Sequence, residues 1–525
     1  MANVQGLPTS GGPVPTEARS RVKFFQRIPW WRLAAGILAG GAGLALTFLL
    51  RLLGLGVFLP ELAVDFAVGR IPGSIESFFI RTMGEGAKVL ALTTSLVVFL
   101  VLPGVYAIPF RWVQAWFRRR LTVIAVYTFV PAAIALFAIL PILGGGFLGT
   151  QTEAGPWAAA FSQILGSWLC ASILDYLLVE VASRHPKGFS LSRRQFIATI
   201  ALASAGFALA LYGFTSLVSR AGRLVFASAA EMFAKEITPT GEFYVVTKNL
   251  IDPNVDASSW RLAIDGLVVN PMNFTYDDLL SRVKTEELVT FECVSNEVGG
   301  NLISTARWSG IRLQELLGAA GIDPSADWVV FESADGYTVG IPLGRAMHPS
   351  TLVAIHMNSD SAPLAMNHGF PARIVVPGLY GMFDAKWVTR ITVVRGEYLG
   401  FWQQKGWTNG GAIRTTAIIA TPPPDSVVGG AVEIGGVAFA GDRGISRVDV
   451  STDGGATWSP ATMSPALSPF TWNLWTFRWT PLLGGTHRIV ARAIDGTGAA
   501  QESSPEPPFP NGASGYDSIA LLASG

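Results

Sequence analysis

The sequence predicts three fold classes in one chain: an N-terminal all-α transmembrane bundle of about five helices, a central α+β domain, and a C-terminal all-β sandwich of immunoglobulin-like form. Three observations predict it. Charged residues make up 14% of the 525, against roughly 25% in soluble proteins, and mean hydropathy is +0.41. The apolar excess lies before about residue 220, and the remainder has the texture of a soluble protein. Within that remainder, strand-like runs first alternate with short helical patterns. From about Thr415 they follow one another with Gly and Pro turns.

Residues 1–30 are polar, rich in Pro and Gly, basic toward the end, and are expected to be disordered and cytoplasmic. Within the helical region, 31–220, apolar spans run from about Leu33 to Leu50, Val89 to Phe110, Leu121 to Leu143, Trp157 to Val179 and Phe196 to Val218. Each is near the ~20 residues that cross a bilayer as a helix. Basic residues cluster before the first span, between the second and third (Arg111, Arg118 to Arg120), and between the fourth and fifth (Arg184, Lys187, Arg193, Arg194), while 144–156 carries none. Positive charge stays on the cytoplasmic side, so the chain after about residue 218 is expected outside the cytoplasmic membrane of a multi-pass protein. The run at 192–197, Ser-Arg-Arg-Gln-Phe-Ile, resembles a twin-arginine export signal, with a plain basic anchor of the last span as the alternative. Ala227-Ser-Ala229 is a candidate cleavage site, set far beyond the apolar run. Asp175, inside the fourth span, is either a functional group at membrane depth or a solvated residue near the helix end. The spans contain no histidine, so a bis-histidine membrane haem is unsupported.

A linker, 221–240, leads to the central domain, 241–412. Phe243 to Asn249 reads as a strand or extended arm. Trp260 to Gly266, Trp328 to Glu332, Tyr337 to Pro342, Arg373 to Pro377 and Lys386 to Val394 read as strands, and Tyr276 to Leu280 and Leu313 to Gly318 as short helices. One apolar, β-prone run, Leu288 to Glu292, ends at Cys293 and opens a polar loop through Gly299-Gly300. Read alone, Cys293 is either a small buried apolar residue or a thiolate presented to a bound group. With two cysteines in the chain, a disulfide scaffold and a cysteine-rich metal cluster are excluded. Arg373 and Lys386 read alone as strand-edge charges, and Tyr337 as a packed aromatic. From 413 to 525, strands at Ala431 to Phe439, Ile445 to Val450, Trp472 to Trp479 and His487 to Ile494, with turns at Asp453-Gly and Asp495-Gly, make the sandwich.

Cys293 with Asn296, Thr305 to Gly310, Tyr337 to Pro342, His368-Gly-Phe-Pro-Ala-Arg373, Pro377 to Gly381 and Lys386-Trp387 occur in that order. Together they resemble the molybdopterin domain of the sulfite oxidase family, and 413–525 resembles that family's dimerisation domain. The resemblance implies molybdenum with molybdopterin as cofactor, with Cys293 as the metal ligand. It implies Arg373 and Lys386 on the phosphate side, with Asp384 and Ala385 beside Lys386 in the cofactor-binding set. His368 and Asp335 would be further pterin contacts. Thr247, Lys248 and Asn249 would form an arm against the cofactor, and Tyr337 would stand beside the metal as a catalytic residue.

One departure bears on the substrate. Family members that oxidise sulfite carry arginines where this chain has Glu297-Val298 and Thr247. A carboxylate there repels a dianion. The expected activity is therefore oxygen-atom transfer on a small oxyanion, a sulfoxide or an N-oxide, with sulfoxide or N-oxide reduction weighed equally against sulfite oxidation. The alternative is a cofactor-poor, degenerate relative serving as an extracytoplasmic binding or assembly module. The chain has no haem-attachment motif, so no haem is expected and electrons would pass to or from a separate partner. The remaining expected partners are the lipid bilayer and a second copy of the chain. A net charge of +1 gives no field for nucleic acid.

Overall fold

A computed structural model describes residues 30–72, 75, 86–117, 119–152, 154–181, 222–249, 252–359 and 361–524. The stretch before Trp30, the twin-arginine-like run and the fifth expected span lie outside them. The chain divides into two compact units, built on the described residues of Met1–Val64 with Ala91–Ala210, and of Asp65–Leu90 with Leu211–Gly525.

Among the described residues, three helices of the first unit are long and apolar enough to cross a membrane: Trp30–Leu52, Arg120–Ile142 and Gly155–Glu180. A fourth candidate is the pair Leu90–Tyr106 and Phe110–Trp116, bent by 41°. The bend falls at Pro109, which has no N–H to continue the helix. These four coincide with the first four expected spans. Small residues let the helices approach closely: a Cβ on Gly43 would lie 2.7 Å from the carbonyl oxygen of Gly166. Asp175 is buried and not solvated. Its Oδ2 accepts from Nε of Arg120 at 2.6 Å.

The described residues of the second unit form four sheets. The strands of its mixed part are β1 (Arg261–Gly266), β2 (Met272–Thr275), β3 (Thr285–Glu292), β4 (Ile303–Arg312), β5 (Trp328–Ser333), β6 (Thr338–Pro342), β7 (Leu352–Met357), β8 (Arg373–Val375) and β9 (Val388–Val394). They form one sheet ordered β2-β1-β9-β5-β6 and another ordered β3-β4-β7-β8. Helices at Tyr276–Leu280 and Leu313–Ala320 sit where the apolar spacing predicts them. The first is fixed by a capping box between Thr275 and Asp278. Residues 243–249 are extended without ladder pairing, the arm alternative of the sequence reading.

The C-terminal strands are β10 (Thr416–Thr421), β11 (Val427–Val428), β12 (Val432–Phe439), β13 (Ile445–Ser451), β14 (Ser459–Pro460), β15 (Thr462–Met463), β16 (Asn473–Trp479), β17 (Gly485–Asp495) and β18 (Asp517–Ala523). The sheets β10-β12-β16-β15 and β11-β18-β17-β13-β14 enclose one apolar core, with Ile434 and Trp475 from the first and Val448, Ile489 and Leu521 from the second. The outer face of the first sheet is covered too: Ile418, Val437 and Leu474 belong to the core of the mixed part. Strands buried on both faces read as continuous apolar runs and do not alternate, as Thr416–Thr421 does.

Candidate active site

Three stretches converge on one buried polar cluster. The first is the end of β3. Cys293 follows Glu292 and is 8% exposed. Its N–H donates to the Leu302 carbonyl at 2.9 Å, and its carbonyl accepts from Asn296 N–H at 2.9 Å. Asn296 closes the turn, donating to Oε1 of Glu292 at 3.1 Å and accepting from the Leu302 N–H at 3.0 Å. Cys293 Sγ lies 3.0 Å from Oγ of Ser295. Burial pushes the Glu292 carboxyl up to about 7, against the pull of Asn296. Its Oε2 has no hydrogen-bond partner among the described residues.

The second stretch is the arm with the β5–β6 turn. Lys248 Nζ donates to the Asp335 carbonyl at 2.8 Å and to Oδ1 of Asn249 at 3.0 Å. Asn249 Nδ2 donates to Oδ2 of Asp335 at 2.9 Å. Thr247 Oγ1 accepts from the Asn249 N–H at 3.1 Å. The other Asp335 oxygen accepts from the Tyr337 N–H at 3.0 Å. One aspartate therefore holds both the arm and Tyr337. The Tyr337 hydroxyl donates to the Met382 carbonyl at 2.5 Å. Burial holds it well above the ordinary tyrosine value, helped by Asp335, Asp384 and Cys293.

The third stretch is 366–387. Arg373 opens β8 and is 5% exposed. Its two terminal nitrogens donate to the carbonyls of His368 and Asp384 at 3.1 and 3.2 Å. Its guanidinium carbon sits 4.7 and 4.8 Å from the ring centres of Phe291 and Trp308, which stack on each other. Its Nε has no partner among the described residues, and burial brings its pKa down to about 10. Asp384 is buried as well. One of its oxygens accepts from the Val376 N–H at 2.7 Å, and the other has no partner among the described residues. Burial raises its carboxyl well above the usual range, against Arg373 and the Val376 N–H. His368 is neutral: burial lowers it to about 4, and Nε2–H donates to the Thr240 carbonyl at 3.0 Å. Ala385 is buried and accepts from the Ile374 N–H at 2.8 Å. Lys386 Nζ donates to the Asn367 carbonyl at 3.1 Å and lies over the Trp387 ring. Trp387 holds a left-handed backbone, φ +51°, fixed by its indole N–H to the Met366 carbonyl at 2.7 Å.

The structure thus brings all the sequence-predicted residues into this region, in two groups joined through Tyr337 and Met382. Three further residues belong to it. Tyr244 is raised well above its ordinary value by burial, with Cys293, Asp384 and Glu292 adding to the shift and Arg373 opposing it. Its hydroxyl lies 2.5 Å from where a Cβ on Gly381 would be. Tyr380, raised chiefly by burial and next by Glu292, accepts the Phe383 N–H at its carbonyl at 2.9 Å and the Arg414 N–H at its hydroxyl at 3.1 Å. Glu292 is the third. Its one available signal was a carboxylate closing an apolar strand.

Chemically, the donor set fits one soft metal bound by a single thiolate beside an anionic organic group. A buried guanidinium with only carbonyl partners and an orphaned Nε is costly unless an anion joins it. Among the described residues no three or more His, Cys, Asp or Glu side chains gather as a metal cage.

Residues 249–402 match the model of the oxidoreductase molybdopterin binding domain. Residues 411–506 match that of the Mo-co oxidoreductase dimerisation domain. The chain is similar to sulfite oxidase of Gallus gallus, 30% identical over 53% of this chain and 71% of that one. It is also similar to mitochondrial sulfite oxidase of Homo sapiens, 33% identical over 49% of this chain and 56% of that one, so it spans only about half the length of the human protein. Among solved structures, the sulfane dehydrogenase SoxCD from Paracoccus pantotrophus aligns with a TM-score of 0.48 at 25% identity, over 54% of this chain and 80% of that one.

Proposed function

The chain belongs to the sulfite oxidase family of molybdopterin-dependent oxidoreductases, and from that premise we propose that it is a membrane-anchored enzyme exchanging an oxygen atom with a small sulfur or nitrogen compound. The cofactor of the family is molybdenum with molybdopterin, and when bound it supplies two-electron redox chemistry with transfer of an oxygen atom. The observation that carries the proposal is Arg373, a buried cation with no carboxylate hydrogen-bonded to it among the described residues, in one cluster with Cys293.

Cys293 Sγ would hold the metal, at the end of a strand whose loop is closed by Asn296. Arg373 and Lys386 would hold the anionic end of the pterin, with Asp384 and Ala385 beside them. Lys248, Asn249, Thr247, Asp335 and His368 would bind its other edges. His368 does so as a neutral imidazole and adds no charge near Arg373. Tyr337 acts as a hydrogen-bond donor and not as a base, because its hydroxyl resists ionisation. To reach a bound substrate its hydroxyl would have to leave the Met382 carbonyl.

Glu297 is exposed on the Cys293 loop, and Thr247 brings no charge from the arm. Both favour a neutral or cationic substrate, a sulfoxide or an N-oxide, over sulfite. A reduced-dye assay against sulfoxides and N-oxides, run beside sulfite oxidation, tests this; faster turnover of sulfite contradicts it. Five membrane helices would carry the catalytic domain on the extracytoplasmic side. A reporter fused after Ser524 should then be active outside, and cytoplasmic activity refutes the orientation. The C-terminal immunoglobulin-like sandwich would pair two copies, and a separate protein would exchange the electrons.

A further inference from the structure

Residues 222–226 run beside the loop that follows Cys293. The Gly222 N–H donates to Oδ1 of Asn301 at 2.9 Å, and its carbonyl accepts the Asn301 N–H at 2.9 Å. Arg223 bridges antiparallel to Gly300, and Leu224 N–H donates to the Gly299 carbonyl at 3.0 Å. The loop passes this restraint to the cysteine through Leu302, whose carbonyl accepts the Cys293 N–H and whose N–H is held by Asn296.

On its other side the same segment is tied to the C-terminal sandwich. The Arg223 guanidinium is ion-paired with Asp517, which opens β18 and is buried. It also donates to the Ile419 carbonyl in β10 at 2.9 Å. Asp517 in turn accepts the Ile419 N–H at 2.8 Å, and the Phe226 N–H donates to the Ala420 carbonyl at 2.8 Å. Gly299 marks the closest approach. Its φ is +76°, and a Cβ there would lie 2.6 Å from Nη1 of Arg223 and 2.7 Å from Oδ1 of Asp517.

We propose that residues 222–226 are a strap that fixes the Cys293 loop against the C-terminal sandwich, with Arg223 as its anchor. The strap lies just ahead of Ala227-Ser-Ala229. There Ser228 caps the helix Ala229–Ala234, accepting from the Glu231 N–H, and Ala229 is buried. Cleavage after Ala229 would cut the covalent tie between the strap and the body it clamps. The strap itself stands on these hydrogen bonds; its bearing on the metal rests on Cys293 as the ligand.

Region-resolved hydrogen exchange on the full chain in detergent tests the proposal, comparing the native protein with Arg223→Ala and Arg223→Lys. Losing a charged, partly buried partner should raise exchange at residues 299–302 about tenfold in Arg223→Ala. Arg223→Lys should fall between, and the amides of β5, β6 and β9 should stay as protected as before. Unchanged exchange at 299–302, or an equal rise across β5, β6 and β9 in both variants, overturns it. Molybdenum content of Cys293→Ser tests the ligand separately. Metal loss there, with no local change in Arg223→Ala, removes the strap and leaves the ligand standing.

Discussion

Arg373 and Arg443 are both guanidiniums set beside a buried aspartate, and they are wired in opposite ways. Arg443 in the sandwich donates to Oδ2 of Asp495 at 2.8 Å, to the Ile413 carbonyl at 3.0 Å and to Oγ1 of Thr415 at 3.1 Å. The other Asp495 oxygen accepts from Thr497 and from the Ala499 N–H. Burial alone would raise that carboxyl, but Thr497, Arg443 and the two N–H groups outweigh it and bring it down to about 2. Arg373 reaches only carbonyls, and Asp384 keeps one oxygen without a partner among the described residues. Asp384 is pushed up, where Asp495 is pushed down. A closed network of this kind is architecture. An open one, around a guanidinium buried more deeply than Arg443, is where a charged ligand would complete the hydrogen bonding.

The contrast can be broken by removing each cation in turn. Arg443→Met leaves Asp495 without its charge partner. It should cost about 2–4 kcal/mol, below the fully buried case because Arg443 is partly exposed. Molybdenum per folded chain should not change. Arg373→Met should do the reverse, weakening cofactor retention about 10- to 100-fold. The cofactor-free protein should lose no more than about 1 kcal/mol, since an ill-solvated charge goes with the side chain. Thermal unfolding and metal analysis of both variants read this out; equal stability losses with equal cofactor loss would erase the distinction.

A smaller effect is expected at His368. Its folded value of about 4 lies below the ordinary 6.5, so the unfolded chain takes up the proton first as pH falls. The contribution of this neutral imidazole is complete above pH 6.5 and is lost as pH drops toward 4, by about 2 kcal/mol at pH 5 and about 3 kcal/mol at pH 4. His368→Gln should flatten that part of the stability–pH curve of the cofactor-free protein. An unchanged acid limb would place the pH dependence elsewhere. The smallest change is Glu297→Gln. Removing one exposed carboxylate should lower KM for sulfite about threefold at low salt, with little change for a sulfoxide. No change for sulfite would mean that Glu297 does not face the substrate.

Much of this was legible in the sequence because its signals are local. Hydropathy located four helices that the structure forms, and the ordered motifs from Cys293 to Lys386 named residues that the fold gathers. Non-local parts were hidden. Tyr244 and Glu292 read as strand residues until the arm and β3 meet at Gly381. β10 is buried on both faces and offers no alternation, and β18 pairs with β17 only across the intervening residues 496–516, too long a connection to read as a hairpin. The sequence does not separate the two roles open to Asp175, because its partner, Arg120, lies on another helix. Arg223 falls within the linker 221–240 and carries no signal of its own, since its partner Asp517 lies 294 residues away.

The central claim is that Cys293 and the open cluster around Arg373 hold molybdenum with molybdopterin. Metal and pterin analysis of the purified full chain, native and Cys293→Ser, tests it most directly. About one molybdenum and one pterin are expected per native chain, with the metal lost from a folded Cys293→Ser protein. A well-folded native protein without molybdenum, or a serine variant that retains it fully, would contradict the account.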